Sequence, residues 1–264
     1  CLYEAMSRDR IDTENALSLA GTLAERSGEI QMESLQSSYE IDRKSSGVDM
    51  VTEIDRKCEQ LISKGIRSAY PGHVILGEEE GRSSGTSDYM WVIDPLDGTT
   101  NFVHGLPIFA TSIALLYKGS PVAGVVHMAP TKTTYSAVEG RGAFRDGIAL
   151  HAAGRNRLNE SLIATGIPYD RAESEINNVD YVSHITPLVR GIRRLGVASY
   201  DMCLVAEGVY DGYWELKIAL WDFIAGALIA REAGAFVSYE KYGQKYNVFA
   251  ASPAVSSLLC RELN

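Results

Sequence analysis

An apolar run that ends abruptly at two carboxylates constrains this chain more than any other feature. Met90-Trp91-Val92-Ile93 has the composition of a buried strand, and Asp94-Pro95-Leu96-Asp97-Gly98-Thr99 follows at once. Proline disfavours helical geometry in the residue before it. Asp followed by Pro favours a type I turn, so the chain is expected to leave the strand at Asp94. Such a turn can bring the carboxylates of Asp94 and Asp97 near each other. Gly98 then opens a short helix whose first N–H groups, at Gly98 and Thr99, form an anion site. Two like charges beside an anion cradle repel unless a cation joins them. Mg²⁺ resolves the conflict, because it takes hard oxygen ligands and bridges carboxylates to phosphate.

Other acidic residues sit at comparable element ends. Residues 52–70 read as a helix: Thr52 caps it, Asp55 completes a capping-box pair, and Ile54, Cys58, Leu61, Ile62 and Ile66 recur at helical spacing. Glu78 lies just past a short apolar strand at 73–76, and Asp222 begins a helix at 222–233. Each has an ordinary explanation: Asp55 as a cap, Asp222 as a charge at a helix N-terminus, Glu78 as a member of a solvated acidic run. Asp94-Pro95 with Asp97-Gly98 is equally compatible with a plain turn. Spacing along the chain does not bring these segments together.

Further helices are predicted at 9–33, 179–190 and 199–208. Strands are predicted at 90–93, 110–117, 122–129, 134–138, 143–144, 161–165, 212–215 and 235–239, and 36–47 reads as a hairpin or mobile loop. The mixture predicts layered helices and sheets, divided into an N-terminal half (1–150) and a C-terminal half (151–264) of one compact unit. A length of 264 residues suffices for that core.

Composition excludes several functions. The net charge of −9 argues against a basic nucleic-acid-binding face. No apolar run approaches the roughly 20 residues of a membrane span, and Cys1-Leu2-Tyr3-Glu4 lacks a leader's basic-then-apolar pattern. Cys1, Cys58, Cys203 and Cys260 are far apart, without CxxC spacing, which favours free thiols in a reducing cytoplasm over a zinc site. Neither GxxxxGK[ST] nor HExxH occurs, and the scattered histidines are assigned to no metal.

The segment 94–102, Asp-Pro-Leu-Asp-Gly-Thr-Thr-Asn-Phe, resembles the first signature of the inositol monophosphatase family. Trp221-Asp222 with Ala225-Gly226 and Glu232-Ala233-Gly234 resembles the second. The Gly77-Glu78-Glu79 step and the stretch 49–55 match two further elements in the family's order, and Lys44-Ser45-Ser46 resembles its mobile metal-site loop. The resemblance runs from about residue 10 to the C-terminus. It implies an α+β fold of layered α-β-α-β-α type, a homodimer, and Mg²⁺-dependent, lithium-sensitive hydrolysis of a small phosphorylated polyol. It also implies roles. Glu78, Asp94 and the Leu96 carbonyl would bind a first Mg²⁺, and Asp94, Asp97 and Asp222 a second. Glu78 would support a weaker third near Lys44. Thr99 and Asp55 would orient and deprotonate the attacking water, and N–H groups at Gly98 and Thr99 would bind phosphate. Glu215 would accept from a sugar hydroxyl, and Gly196 to Ala198 would line the same pocket. Val197 stands where Ser or Thr is common, which puts substrate preference in doubt. A sister phosphatase acting on fructose 1,6-bisphosphate, a 3′(2′),5′-bisphosphate nucleotide or histidinol phosphate stays open, as does a non-catalytic assembly role.

Overall fold

The computed structural model describes residues 11–35, 41–43, 50–152 and 154–263. Helix α1 (Thr13–Ser34) starts four residues later than its pattern suggests, because Asp12 is the residue placed to cap it, accepting from the N–H groups of Glu14 and Asn15. Strands β1 (Ile41–Arg43) and β2 (Met50–Thr52) pair antiparallel, consistent with the hairpin reading. Lys44 lies outside the described residues. Helix α2 (Glu53–Ala69) has the expected capping box, with Thr52 and Asp55 bonding each other's backbone N–H.

Strands β3 (Val74–Gly77), β4 (Gly81–Arg82) and β5 (Tyr89–Asp97) lead to the one-turn helix α3 (Thr99–Val103). Then come β6 (Ala110–Tyr117), β7 (Ser120–Met128), β8 (Thr133–Val138), β9 (Ala143–Arg145) and β10 (Ile148–Ala149). They form an eight-stranded sheet in the order β10-β9-β8-β7-β6-β5-β3-β4, antiparallel except for β3–β5. The second half contributes β11 (Leu162–Thr165), α4 (Val179–Ile185), β12 (Gly191–Arg193), α5 (Ala198–Ala206), β13 (Gly212–Ile218), α6 (Leu220–Glu232), β14 (Phe236–Tyr242), β15 (Lys245–Ala251) and α7 (Ser256–Glu262). Its sheet has the order β12-β11-β13-β15-β14.

Five layers result. Helices α1 and α2 cover one face of the large sheet through Ala16, Ala20, Leu23, Ile62 and Ile66. Helices α5 and α6 fill the space between the sheets, and their buried Met202, Phe223, Leu228 and Ile229 join both sheets in the main core. Ile185 of α4 and Leu259 of α7 pack with Ile163 and Trp214 on the outer face of the small sheet. The middle layer is tight: a Cβ on Gly226 of α6 would stand 2.7 Å from the Ser199 carbonyl of α5. Among the described residues no helix is long and apolar enough to cross a membrane. Cys58, Cys203 and Cys260 are free thiols, the first two buried.

Two further expectations need correction. The strand does not end at Asp94: β5 continues to Asp97 with one extra residue opposite β6, since Asp94 pairs with Ser112 and Asp97 with Ala110. A bulge needs no ladder N–H from its inserted residue, so Pro95 is accommodated there. The helix at 179–190 stops at Ile185 and continues only as a 3₁₀ turn over Thr186–Leu188, because Pro187 has no N–H to carry the α-helical ladder onward. Strand β15 and helix α7 were not predicted from the sequence.

Candidate active site

The bulge in β5 is built by local chemistry and held by a distant helix. Asp94 Oδ1 accepts from the Leu96 N–H at 3.0 Å, bending the chain back on itself. The Pro95 carbonyl receives Gln31 Nε2 at 2.8 Å and Thr111 Oγ1 at 3.1 Å, and Gln31 also bonds Thr111 at 2.9 Å. Gln31, on α1, and Thr111, on β6, are both fully buried. Gly98 follows with φ of +96°, and a Cβ there would lie 2.8 Å from Val197 Cγ2. Glycine is therefore required twice over, for its backbone conformation and for space.

Thr99 caps this turn with its side chain. Its Oγ1 lies 3.0 Å from Asp55 Oδ1 and 3.1 Å from the Leu96 carbonyl. The other oxygen of Asp55 accepts from Thr52 N at 2.8 Å and Thr52 Oγ1 at 2.5 Å, and the residue is wholly buried. The helix-capping role and the predicted functional role of Asp55 thus use different oxygens of one carboxylate. The Gly77-Glu78-Glu79 step is fixed by Glu59, a buried carboxylate of α2 accepting from the N–H groups of Glu79 and Glu80, each at 2.8 Å. A side chain on Gly77 would collide with that carboxylate.

One cleft of about 280 Å³ collects almost every predicted residue: Glu78, Asp94, Leu96, Asp97, Gly98, Thr99, Gly196, Ala198, Glu215 and Asp222 all line it. Asp55 stands behind Thr99. Val197 does not line the cleft; it is buried against Gly98, so a Ser or Thr there would meet core rather than substrate. Asp222 is the third residue of α6 and caps it by accepting from Ala219 N at 2.8 Å. Sequence reasoning missed Ser199, whose N–H and Oγ donate to Asp97 Oδ2 at 2.9 and 2.6 Å. It also missed Arg194, Lys217 and Lys245, three cations in the cleft wall. A Ser in the first turn of a helix is too common a sight to signal either role.

The electrostatics follow from burial. Asp94 is raised well above the usual carboxylate range, first by desolvation, then by Glu78, Asp97 and Asp222. Asp97 is pushed up to about 7 by burial, against the pull of its Ser199 hydrogen bonds. Asp222 reaches about 8, through burial and the charge of Asp97. Burial also raises Glu215, opposed by the Tyr213 hydroxyl that donates to it. Among the described residues no three acidic, His or Cys side chains close into a ready-made coordination shell. The donor set nevertheless consists of hard oxygens crowded closely enough to raise one another's pKa, and such a set fits a divalent cation.

Comparison with known proteins accords with this geometry. Residues 12–263 match the model of the inositol monophosphatase family. A protein of Pseudomonas aeruginosa named Nus factor SuhB is 44% identical over 230 residues, 84% of each chain. An inositol-1-monophosphatase of Mesorhizobium japonicum is 39% identical, covering 87% of this chain and 84% of that one. The solved structure of an inositol monophosphatase from Anabaena superposes with a TM-score of 0.87 at 33% identity, over 96% of both chains. A layered α+β fold around a carboxylate-lined cleft is the architecture of a phosphate-ester hydrolase. The chain belongs to the inositol monophosphatase family.

Proposed function

We propose that this protein hydrolyses the phosphate monoester of a small polyol, inositol monophosphate foremost, with water as the nucleophile. The observation that carries the reading is the Thr99–Asp55 hydrogen bond beside a cleft lined by Glu78, Asp94, Asp97 and Asp222. Glu78, Asp94, the Leu96 carbonyl, Asp97 and Asp222 would hold two or three Mg²⁺. Bound there, Mg²⁺ neutralises phosphate oxygens, acidifies water and stabilises the leaving alkoxide. Thr99 carries one hydroxyl proton. When it donates to Asp55, an Oγ1 lone pair is left to accept from water, so a proton can pass from water through Thr99 to Asp55. Thr52 holds the far oxygen of Asp55 and keeps the acceptor aimed. The N–H groups of Gly98 and Thr99 bind phosphate. Glu215, oriented by Tyr213, accepts from a polyol hydroxyl, while Gly196 and Ala198 leave room for the ring. In-line transfer demands positioning and charge stabilisation rather than a covalent nucleophile. Ser199 is accordingly free to serve Asp97.

Release of phosphate from inositol 1-phosphate, fructose 1,6-bisphosphate, adenosine 3′,5′-bisphosphate and histidinol phosphate, each with Mg²⁺ and with EDTA, tests this. Mg²⁺-dependent turnover led by inositol 1-phosphate is expected; another leader would keep the mechanism and change the substrate. The relative named as a Nus factor favours a second reading, an assembly role carried by the same fold as a homodimer. Asp94→Asn separates the two: it abolishes phosphate release and would leave an assembly role intact.

A further inference from the structure

Part of the cleft wall is a loop, residues 166–178, whose Ile167, Pro168 and Tyr169 line the same space as Asp222 and Glu215. Its two ends are pinned together. Asn178, buried and with φ of +71°, donates through Nδ2 to Thr165 Oγ1 at 2.8 Å and to the Gly166 carbonyl, while its Oδ1 accepts from Trp214 Nε1 at 2.6 Å. At the first end Gly166 lies so close to the Glu215 carboxylate that a Cβ would collide with it. A compact surface loop with joined ends is a typical place for functional contacts.

The middle of the loop is tied from outside by Lys217. This residue sits in the irregular stretch of β13 between Glu215 and Ile218, with φ of +57°. That conformation is disfavoured for any residue with a Cβ and persists only where the surroundings enforce it. Lys217 is also only 6% exposed, and a buried ammonium is costly unless paired. What enforces both is visible: Nζ donates to Oδ1 and Oδ2 of Asp170 and to Oγ of Ser174, each at 2.8 Å, while the Lys217 N–H is held by Asn247 Oδ1 at 3.1 Å. Strain and burial are thus concentrated on one contact, between the floor of the cleft and its covering loop.

We propose that the Lys217–Asp170 pair latches this loop over the leaving-group side of the cleft, and thereby favours compact phosphate monoesters over nucleotides. The inference rests on the phosphatase reading above. The latched cleft, at about 280 Å³, lies just below the usual span of ligand sites, roughly 300–1,000 Å³. A six-membered polyol suits such a space, and the larger base of a nucleotide has to pass the Ile167–Tyr169 wall. Lys217 and Asp170 are therefore positioning residues that select substrates through the loop.

The test uses Asp170→Asn, which removes the charge of a half-exposed residue outside the cleft lining, together with Lys217→Met and the double variant. Two readouts are taken. The first is the ratio of kcat/KM for adenosine 2′-monophosphate to that for inositol 1-phosphate. It should rise about tenfold in each single variant, with no further gain in the double, as expected of partners in one interaction. The second is trypsin cleavage after Arg171, an exposed residue of the loop, which should accelerate in all three variants while circular dichroism stays unchanged. Unaltered cleavage in Asp170→Asn would overturn the latch. Faster cleavage with an unmoved ratio would overturn its role in selection. A parent protein that turns over neither ester would instead sink the phosphatase reading, and with it the claim about selection, while cleavage still decides the latch.

Discussion

Thr99 and Asp55 show how much chemistry two side chains obtain from one turn each. Thr99→Val keeps the shape and removes the hydroxyl, so kcat should fall about 10²–10³-fold with KM nearly unchanged, since general-base assistance of this kind contributes roughly 10²–10⁴. Steady-state kinetics on inositol 1-phosphate check it. The carboxylates make a prediction about stability. Asp97 and Asp222 have folded pKa values raised to about 7 and about 8, above those of an unfolded chain. The native state therefore binds more protons, and the associated stability is fully present below the ordinary carboxylate pKa and lost as pH rises through 7 to 8. In EDTA the protein should melt at a higher temperature at pH 6 than at pH 9. Mg²⁺ should reduce that difference by favouring the ionised forms. Calorimetric scans at both pH values, with and without Mg²⁺, decide it; an EDTA curve rising with pH would contradict the burial argument.

At the scale of elements, the question is what keeps the β5 bulge in one conformation. Its carbonyl at Pro95 is captured by Gln31 from α1, and Gln31 leaves its own Oε1 buried without a hydrogen-bond partner. The two facts oppose each other. Gln31→Leu removes two hydrogen bonds, to the Pro95 carbonyl and to Thr111, but also relieves an unsatisfied acceptor, so the loss of stability should stay near that of a single hydrogen bond, about 1 kcal/mol. The loss of function should be larger than that figure suggests, because the carbonyl of Leu96 and the carboxylates of Asp94 and Asp97 hang from the clamped segment. Urea unfolding and the Mg²⁺ dependence of activity, measured together, separate the two effects. Element boundaries were legible where a single residue type decides them: Thr52 with Asp55 starts α2 as its pattern indicates. They were illegible where long-range contacts decide, as at Pro95, where the strand runs on through a bulge paired to β6 and clamped by Gln31 and Thr111.

For the whole molecule, the sandwiched layer of α5 and α6 controls the site. Gly226 lets these helices approach until the Ser199 carbonyl leaves no space for a side chain, and Ser199 in turn holds Asp97. Gly226→Val should push the helices apart, cost about 1–3 kcal/mol as overpacking does, and weaken Mg²⁺-dependent turnover although Gly226 does not itself line the cleft. Thermal melts and kinetics on one preparation test this; an unchanged melting temperature would show that the layer yields more easily than its contacts imply.

The sequence by itself determined the chemical inventory. The order Asp94-Pro95-Leu96-Asp97-Gly98-Thr99, the capped helix carrying Asp55 and the helix start at Asp222 are local patterns with local causes, and their resemblance to one family named the partners each would meet. What only the tertiary structure decided is convergence and support. Spacing does not reveal that α1 reaches Pro95, that Glu59 braces the turn at Glu78, that Ser199 holds Asp97, or that Lys217 pairs with Asp170. Those contacts join residues 20 to 102 positions apart, and they exist only because burial of apolar faces in five layers brings the segments together. Hydrophobic packing is non-directional; the polar groups it carries inward must then find partners or go unsatisfied, and those partners are what fix the site.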